Sequence, residues 1–228
     1  MIFKTGGSFV NVIGFFSIFV LIFPIGASLG GAELSKMAPI ILWLGSLLSV
    51  VIALDRFFLN DFEDGTLENI SLSALPMETV ILIKMISHWL TTGLPLTCLS
   101  PVFALTLNLP LDSFGWLILS LLIGTPALSF IGAIAASLTL SARRGSLLIA
   151  LIAIPLYVPT LIFGIKLVES SINGEDVLNA FSLLLATTLF SLAIAPFISA
   201  TAIKIHWKYY FYRPFFIRFK RFFKHKSI

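Results

Sequence analysis

Asp61, Glu63, Asp64 and Glu68 stand within eight residues of one another, with Gly65 and Thr66 between them. They belong to a joint, residues 55–84, that holds six of the eleven acids in a chain of net charge +4. Gly65 permits a turn, and Thr66 reads as a helix N-cap with Glu68 favourable in the first turn. Leu67, Ile70, Ala74 and Leu75 then recur at helical spacing, which predicts a short amphipathic helix ended by Pro76, with a second short helix starting before the next apolar run. Two readings fit this stretch: a helix at the lipid headgroup boundary with solvated acids, or a knob offered to a soluble partner. A helix that lies on anionic lipid is ordinarily rich in Lys and Arg. The acids here favour a protein partner, with Asp61, Glu63, Asp64, Gly65, Thr66 and Glu68 as the contact set.

His88 and Trp89 are the next residues with chemistry to offer. Imidazole is a common ligand of haem iron, and an indole can stack on a macrocycle. A packed His bonded to a neighbouring helix reads equally from the sequence, because no second axial ligand or haem-attachment motif accompanies it. Trp43, Trp89 and Trp116 fit interface or packing positions at least as well as haem stacking. Cys98 stands alone, so neither a zinc site nor an internal disulfide is expected. No GxxxxGK[ST] phosphate loop occurs, so any ATP chemistry belongs to a partner. No intramembrane catalytic set can be assembled either, and the chain is not expected to be an enzyme.

These residues hang on six uncharged runs, 5–32, 37–54, 85–111, 113–142, 145–165 and 177–203. The chain of 228 residues is 58% hydrophobic and 11% charged, against about 25% charged in a soluble domain. About 20 apolar residues in a helix cross the hydrocarbon core. The expectation is an all-α membrane protein of six transmembrane helices, at approximately 9–29, 37–57, 86–107, 114–141, 146–166 and 178–203. Residues 1–204 would form one membrane domain and 205–228 a tail. Lys4 and the apolar run to Ile25, followed by Gly26, Ala27 and Ser28, have the outline of a signal peptide. The length of the run and the five later spans favour a retained helix. No charge lies deep in any span, which argues against an ion channel or a proton pump. Pro95, Pro101, Pro126, Pro155, Pro159 and Pro196 lie inside the runs, and the hydroxyls of Thr91, Thr92, Ser100, Thr125, Thr160 and Ser199 are placed to satisfy the carbonyls they free. Such bends serve packing or move in a transport cycle.

With the N-terminus inside, 13 of the 15 basic residues fall on one side of the membrane and only Lys36 and Lys166 on the other. The bias in Lys and Arg sets topology, so both termini are expected in the cytoplasm. The tail alternates aromatics with bases and reads as a membrane-surface segment contacting lipid, with no nucleic-acid motif and with Pro214 expected to break any helix through it.

The run from Leu54, Asp55, Arg56, Phe57 and Phe58 to Asp61, Glu63, Asp64, Gly65, Thr66 and Glu68, followed by Leu75 and Pro76, resembles the cytochrome c maturation protein B family, the haem exporter permease subunit of an ABC transporter. Lys84, His88, Trp89, Gly93 and Pro95, then Ser100 with Pro101, Gly124 with Pro126, and Arg144 with Gly145 extend the likeness over roughly 36–204. The resemblance implies an ABC-2-like permease whose coupling helix between spans two and three corresponds to 61–75. It implies a separate cytosolic ATP-binding subunit, a haem-handling membrane protein, a small helper and a periplasmic haem chaperone. Haem would be the substrate, with His88 and Trp89 as residues it would meet, and no cofactor is expected to reside in the chain. A homodimer in the complex is expected. The implied activity is haem export for c-type cytochrome biogenesis; the alternative is a non-transporting scaffold that couples ATP hydrolysis to release of the loaded chaperone. Members usually carry a basic amphipathic stretch before span one and end near span six, so the four residues before the first run and the basic aromatic tail depart from the pattern. A bacterial inner membrane is expected, with the mitochondrial inner membrane as the alternative.

Overall fold

The structure is a computed structural model that describes residues 6–26, 30–55, 57–59, 61, 75–140 and 145–224, with side chains described except for 6–9, 146 and 207–224. Among the described residues there are helices and no strands. This is the form lipid imposes on a chain that must satisfy every backbone N–H and C=O internally. The helices are α1 (Gly6–Gly26), α2 (Gly31–Leu54), α3 (Met77–Thr91), α4 (Gly93–Thr106), a 3-10 turn (Leu111–Ser113), α5 (Phe114–Leu138), α6 (Gly145–Asn173) and α7 (Leu178–Lys224). Five units are long and apolar enough to cross a membrane: α2, the pair α3 and α4, α5 with its 3-10 turn, α6 and α7. A shorter apolar helix, Val10–Gly26, precedes them.

The turns follow local chemistry. Asn108 ends α4 at φ 55°, and its turn is closed by the Leu109 N–H donating to the Ala104 carbonyl at 3.0 Å. Asn is one of the few side chains that accept this left-handed position, and Pro110 prevents the helix from resuming. Gly174 ends α6 in the same way at φ 69°, with the Glu175 N–H donating to the Ser170 carbonyl at 2.8 Å. The Asp176 carboxylate then accepts from the Leu178 N–H at 2.9 Å and starts α7.

α5 is the central helix and packs against α2, α3, α4, α6 and α7. Its small residues Gly124, Gly132, Ala133 and Ala136 are buried or nearly so and let neighbours approach closely. The Trp43 ring of α2 fills the space between Gly124 on α5 and Gly164 on α6, where an added Cβ on either glycine would collide with it. Its Nε1 donates to Ser120 Oγ at 3.3 Å. Tyr157 of α6, also fully buried, donates to the Leu128 carbonyl at 2.8 Å. α1 covers α2 and α4, with Phe16 edge-on to Phe103 at 5.3 Å. α6 and α7 expose Leu147, Leu151, Ile162, Phe190 and Phe197 along their outer faces.

Helices alternate in direction. Lys204 near the end of the α7 span meets Glu78 at the start of α3 at 2.7 Å, marking one end of the bundle. At the other end, Ser171 of α6 donates to Ser113 at 3.0 Å, and Lys166 meets Glu175 at 3.3 Å.

Helix α3 begins at Met77, where a second short helix is expected to start before the apolar run, and it holds Lys84 within it. Two expectations are revised. Helix α7 runs through Pro214 to Lys224, so Pro214 does not break it; a proline removes one backbone hydrogen bond, and a long helix survives that loss with a bend. Of the hydroxyls expected to serve proline-freed carbonyls, Ser100 does so, donating to the Thr97 carbonyl at 2.8 Å four residues before Pro101. A hydroxyl just before a proline reaches that carbonyl through its own i−3 contact. Thr91, Thr92 and Thr125 instead bond carbonyls of other turns, and the buried Thr160 and Ser199 hydroxyls have no partner among the described residues.

Candidate functional site

Asp61 is the first of the four clustered acids and lies within the described residues; Glu63, Asp64, Gly65, Thr66 and Glu68, and with them most of the expected helix over 61–75, lie outside them. The Asp61 carboxylate is ion-paired with the Lys84 ammonium of α3. Both side chains are about a quarter to a third exposed, at 25% and 30%, so the pair sits at the rim of the bundle. Lys84 Nζ lies 5.8 Å from the Phe57 ring centroid and 5.4 Å from that of Phe58, and the two rings meet edge-to-face at 4.5 Å. Phe57 and Phe58 are buried. A partly desolvated ammonium over aromatic faces gains attraction that adds to its carboxylate contact. Asp61 is thus tied to α3 and, through the Phe pair, to the end of α2.

The contact chain continues inward. Phe57 meets the His88 ring at 4.9 Å, one helical turn beyond Lys84 on the same face of α3. His88 Nδ1 is hydrogen-bonded to Ser129 Oγ of α5 at 3.1 Å and lies 3.4 Å from Thr92 Oγ1. His88 Nε2 is sealed from solvent and has no hydrogen-bond partner among the described residues. Trp89 points to the same helix, its Nε1 donating to Thr125 Oγ1 at 3.0 Å. Thr92 breaks the helix at φ −120° and ψ −63°, between α3 and α4. Its hydroxyl donates back to the His88 carbonyl at 2.7 Å, and its N–H to the same carbonyl at 2.9 Å. Gly93 follows because a Cβ there would stand 2.5 Å from the Trp89 ring and 2.9 Å from Thr125 Oγ1.

One contiguous path therefore runs from Asp61 through Lys84, Phe57 and His88 to Ser129 on the central helix, beside the break between α3 and α4. The sequence singled out Asp61, His88 and Trp89; it did not identify Lys84, Phe57, Ser129 or Thr125 as their partners. The signal for Lys84 was its place four residues before His88, and hence on the same helix face. Ser129 and Thr125 gave none, because a hydroxyl in an apolar run has the look of ordinary packing. His88 lies at a helix–helix contact rather than on an open wall. No group of three or more His, Cys, Asp or Glu residues able to hold a metal occurs among the described residues. Replacing Ser129 with Ala leaves His88 Nδ1 with only its longer 3.4 Å contact to Thr92 Oγ1 and Nε2 unpartnered as before; we expect a loss of about 1 kcal/mol, read as a lower unfolding temperature in detergent.

A profile of the family described as CcmB protein matches residues 1–206. Heme exporter protein B of Paracoccus denitrificans (strain Pd 1222) is 47% identical over 203 residues, which cover 89% of this chain and 93% of that protein. The protein of the same name from Pseudomonas aeruginosa is 38% identical over 205 residues, 90% of this chain and 92% of the relative. That of Escherichia coli (strain K12) is 36% identical over 203 residues, 89% and 92% respectively.

Proposed function

Since this chain belongs to the CcmB family, we propose that it is the membrane subunit of a haem exporter serving c-type cytochrome biogenesis, driven by ATP hydrolysis in a separate cytosolic subunit. The observation that carries the ATP-driven part is the clamp of Asp61 on Lys84, which roots the acidic joint on the path to His88 and Ser129. In this reading the bundle end bearing Lys84 and Lys204 faces the cytoplasm of a bacterium, which the Lys and Arg bias supports. The acids Asp61, Glu63, Asp64 and Glu68 meet the ATP-hydrolysing subunit, with Gly65 and Thr66 shaping the joint. Movement of that joint pulls on α3 through the ion pair. The break at Thr92 lets α3 tilt without dragging α4, because the backbone dihedrals there already depart from helical values.

Haem is the cargo in this proposal, handed between a haem-handling membrane protein, its small helper and a periplasmic chaperone. The space between α2, α5 and α6 is filled by Trp43 and Tyr157, so a flat macrocycle has no route there. That packing favours passage at a seam with a second copy of this chain or with the haem-handling subunit. It equally favours the second reading, in which ATP-driven motion releases the loaded chaperone and no haem crosses this subunit. The test is haem occupancy of the purified complex and of its chaperone, with ATP and without it, in sealed vesicles. Haem appearing in the vesicle lumen without chaperone supports transport; haem leaving only together with the chaperone supports release. Retention of all haem under ATP turnover rejects both.

His88 and Trp89 enter this proposal through their packing against α5 rather than through iron. His88→Ala is expected to lower cytochrome c assembly by about threefold or less, the scale of one lost hydrogen bond. Abolished assembly at normal protein level would overturn this packing role for His88.

A further inference from the structure

Residues 207–228 lie beyond the family-matched segment, yet helix α7 continues through them to Lys224. Its 47 residues would measure about 70 Å, more than twice the roughly 30 Å hydrocarbon core. Its last part therefore lies outside the bilayer interior. At 100° per residue, Tyr212, Phe215, Phe216, Phe219, Phe222 and Phe223 fall within an arc of about 120°. Arg213, Lys220, Arg221 and Lys224 fall within about 100° on the opposite side, with Ile217 the apolar residue among them and Arg218 on the flank. No acid follows Asp176 in the chain. A helix continuing along the line of α7 would hold six aromatic rings in water. Pro214 stands at the start of the two-faced stretch, where a missing hydrogen bond permits a change of direction.

We propose that residues 212–224 form an in-plane helix that binds anionic lipid headgroups on the membrane face where the α7 span ends. The aromatic arc enters the headgroup boundary, and the bases meet lipid phosphates and carboxylates. The division into an aromatic and a basic face is what such a surface recognises, whereas a nucleic acid would call for bases without a segregated apolar arc. The joint's acids, on the same side, are the competing occupant.

The test uses the full chain with Cys98→Ser, carrying a fluorophore on Phe216→Cys or on Lys220→Cys. It is reconstituted in phosphatidylcholine vesicles with and without about 30% phosphatidylglycerol. In the anionic vesicles, quenching by lipid-borne nitroxide is expected to exceed quenching by aqueous iodide at 216, with the reverse at 220. Removing phosphatidylglycerol, or adding about 0.5 M salt, is expected to lower the nitroxide quenching at 216 by about threefold. Replacing Arg213, Lys220, Arg221 and Lys224 with Gln is expected to do the same, and the lipid comparison on the unaltered bases stands whether or not that variant folds. Iodide access at both positions in every lipid overturns the proposal. So does shielding of both from both quenchers, as a helix seated on the acidic joint would give, and so does nitroxide quenching indifferent to lipid charge.

Discussion

Reversing Asp61, Glu63 and Asp64 to Lys is expected to strip the ATP-hydrolysing subunit from the purified complex, with recovery falling at least tenfold, about 1.4 kcal/mol or more of binding. Like charges brought together across an interface cost several kcal/mol, so three reversals exceed that threshold comfortably. At position 61 the change acts twice. It removes the acid from the proposed docking surface and sets a second ammonium against Lys84, whose present partner is the Asp61 carboxylate. The variant should still insert, because the α3 and α4 crossing keeps its apolar length. Normal copurification would sink the docking assignment. A second variant, Lys84→Met, separates the two effects. It leaves the acids of the joint in place but cuts the link to α3, so the ATPase subunit should stay bound while haem delivery falls. Loss of the ATPase subunit from Lys84→Met would mean that the ion pair shapes the joint rather than transmits from it.

The second large effect concerns packing. Gly164→Val is expected to cost about 2 kcal/mol or more, because the new side chain must occupy volume already held by the Trp43 ring. That ring has nowhere to swing: it is fully buried, Gly124 closes its other side and Ser120 holds its nitrogen. The readout is the yield of monodisperse protein in mild detergent and its unfolding temperature. Trp43→Ala alone should also destabilise, by about 3–5 kcal/mol for a large aromatic truncated in a core. The double variant Trp43→Ala with Gly164→Val should recover part of the loss, since each change removes the other's clash or cavity. Strict additivity of the two losses would show that the ring and the glycine do not share one space.

The helical, membrane-embedded class was legible from runs without charge, because lipid allows few alternatives to a helix for such a run. The ends were less so. Lys84 read as a boundary, since a charge in an apolar helix is ordinarily expelled, yet Asp61, Phe57 and Phe58 together make a rim site that keeps it. Pro214 read as a stop, and the long helical segment around it outweighed the one bond it removes. Of the candidate site, the acids and the His–Trp pair stood out by type. Their partners did not, because Ser129 and Thr125 lie some 40 residues away in sequence and only tertiary packing joins them to α3. The position of Trp43 between two glycines was likewise invisible, as Gly124 and Gly164 belong to different helices and neither spacing points to α2.

The break between α3 and α4 has a consequence for the biogenesis of the crossing they form. That crossing is the least apolar of the five candidate crossings and carries Glu78, Lys84 and His88. Its Trp89 and His88 find their hydroxyl partners, Thr125 and Ser129, on the crossing that the ribosome makes next. Released alone from the translocon it would meet hydrocarbon with its indole N–H and imidazole bare. Lateral exit is therefore expected to be delayed until the following crossing has been synthesised, so that the two leave as a hairpin with their hydrogen bonds already closed.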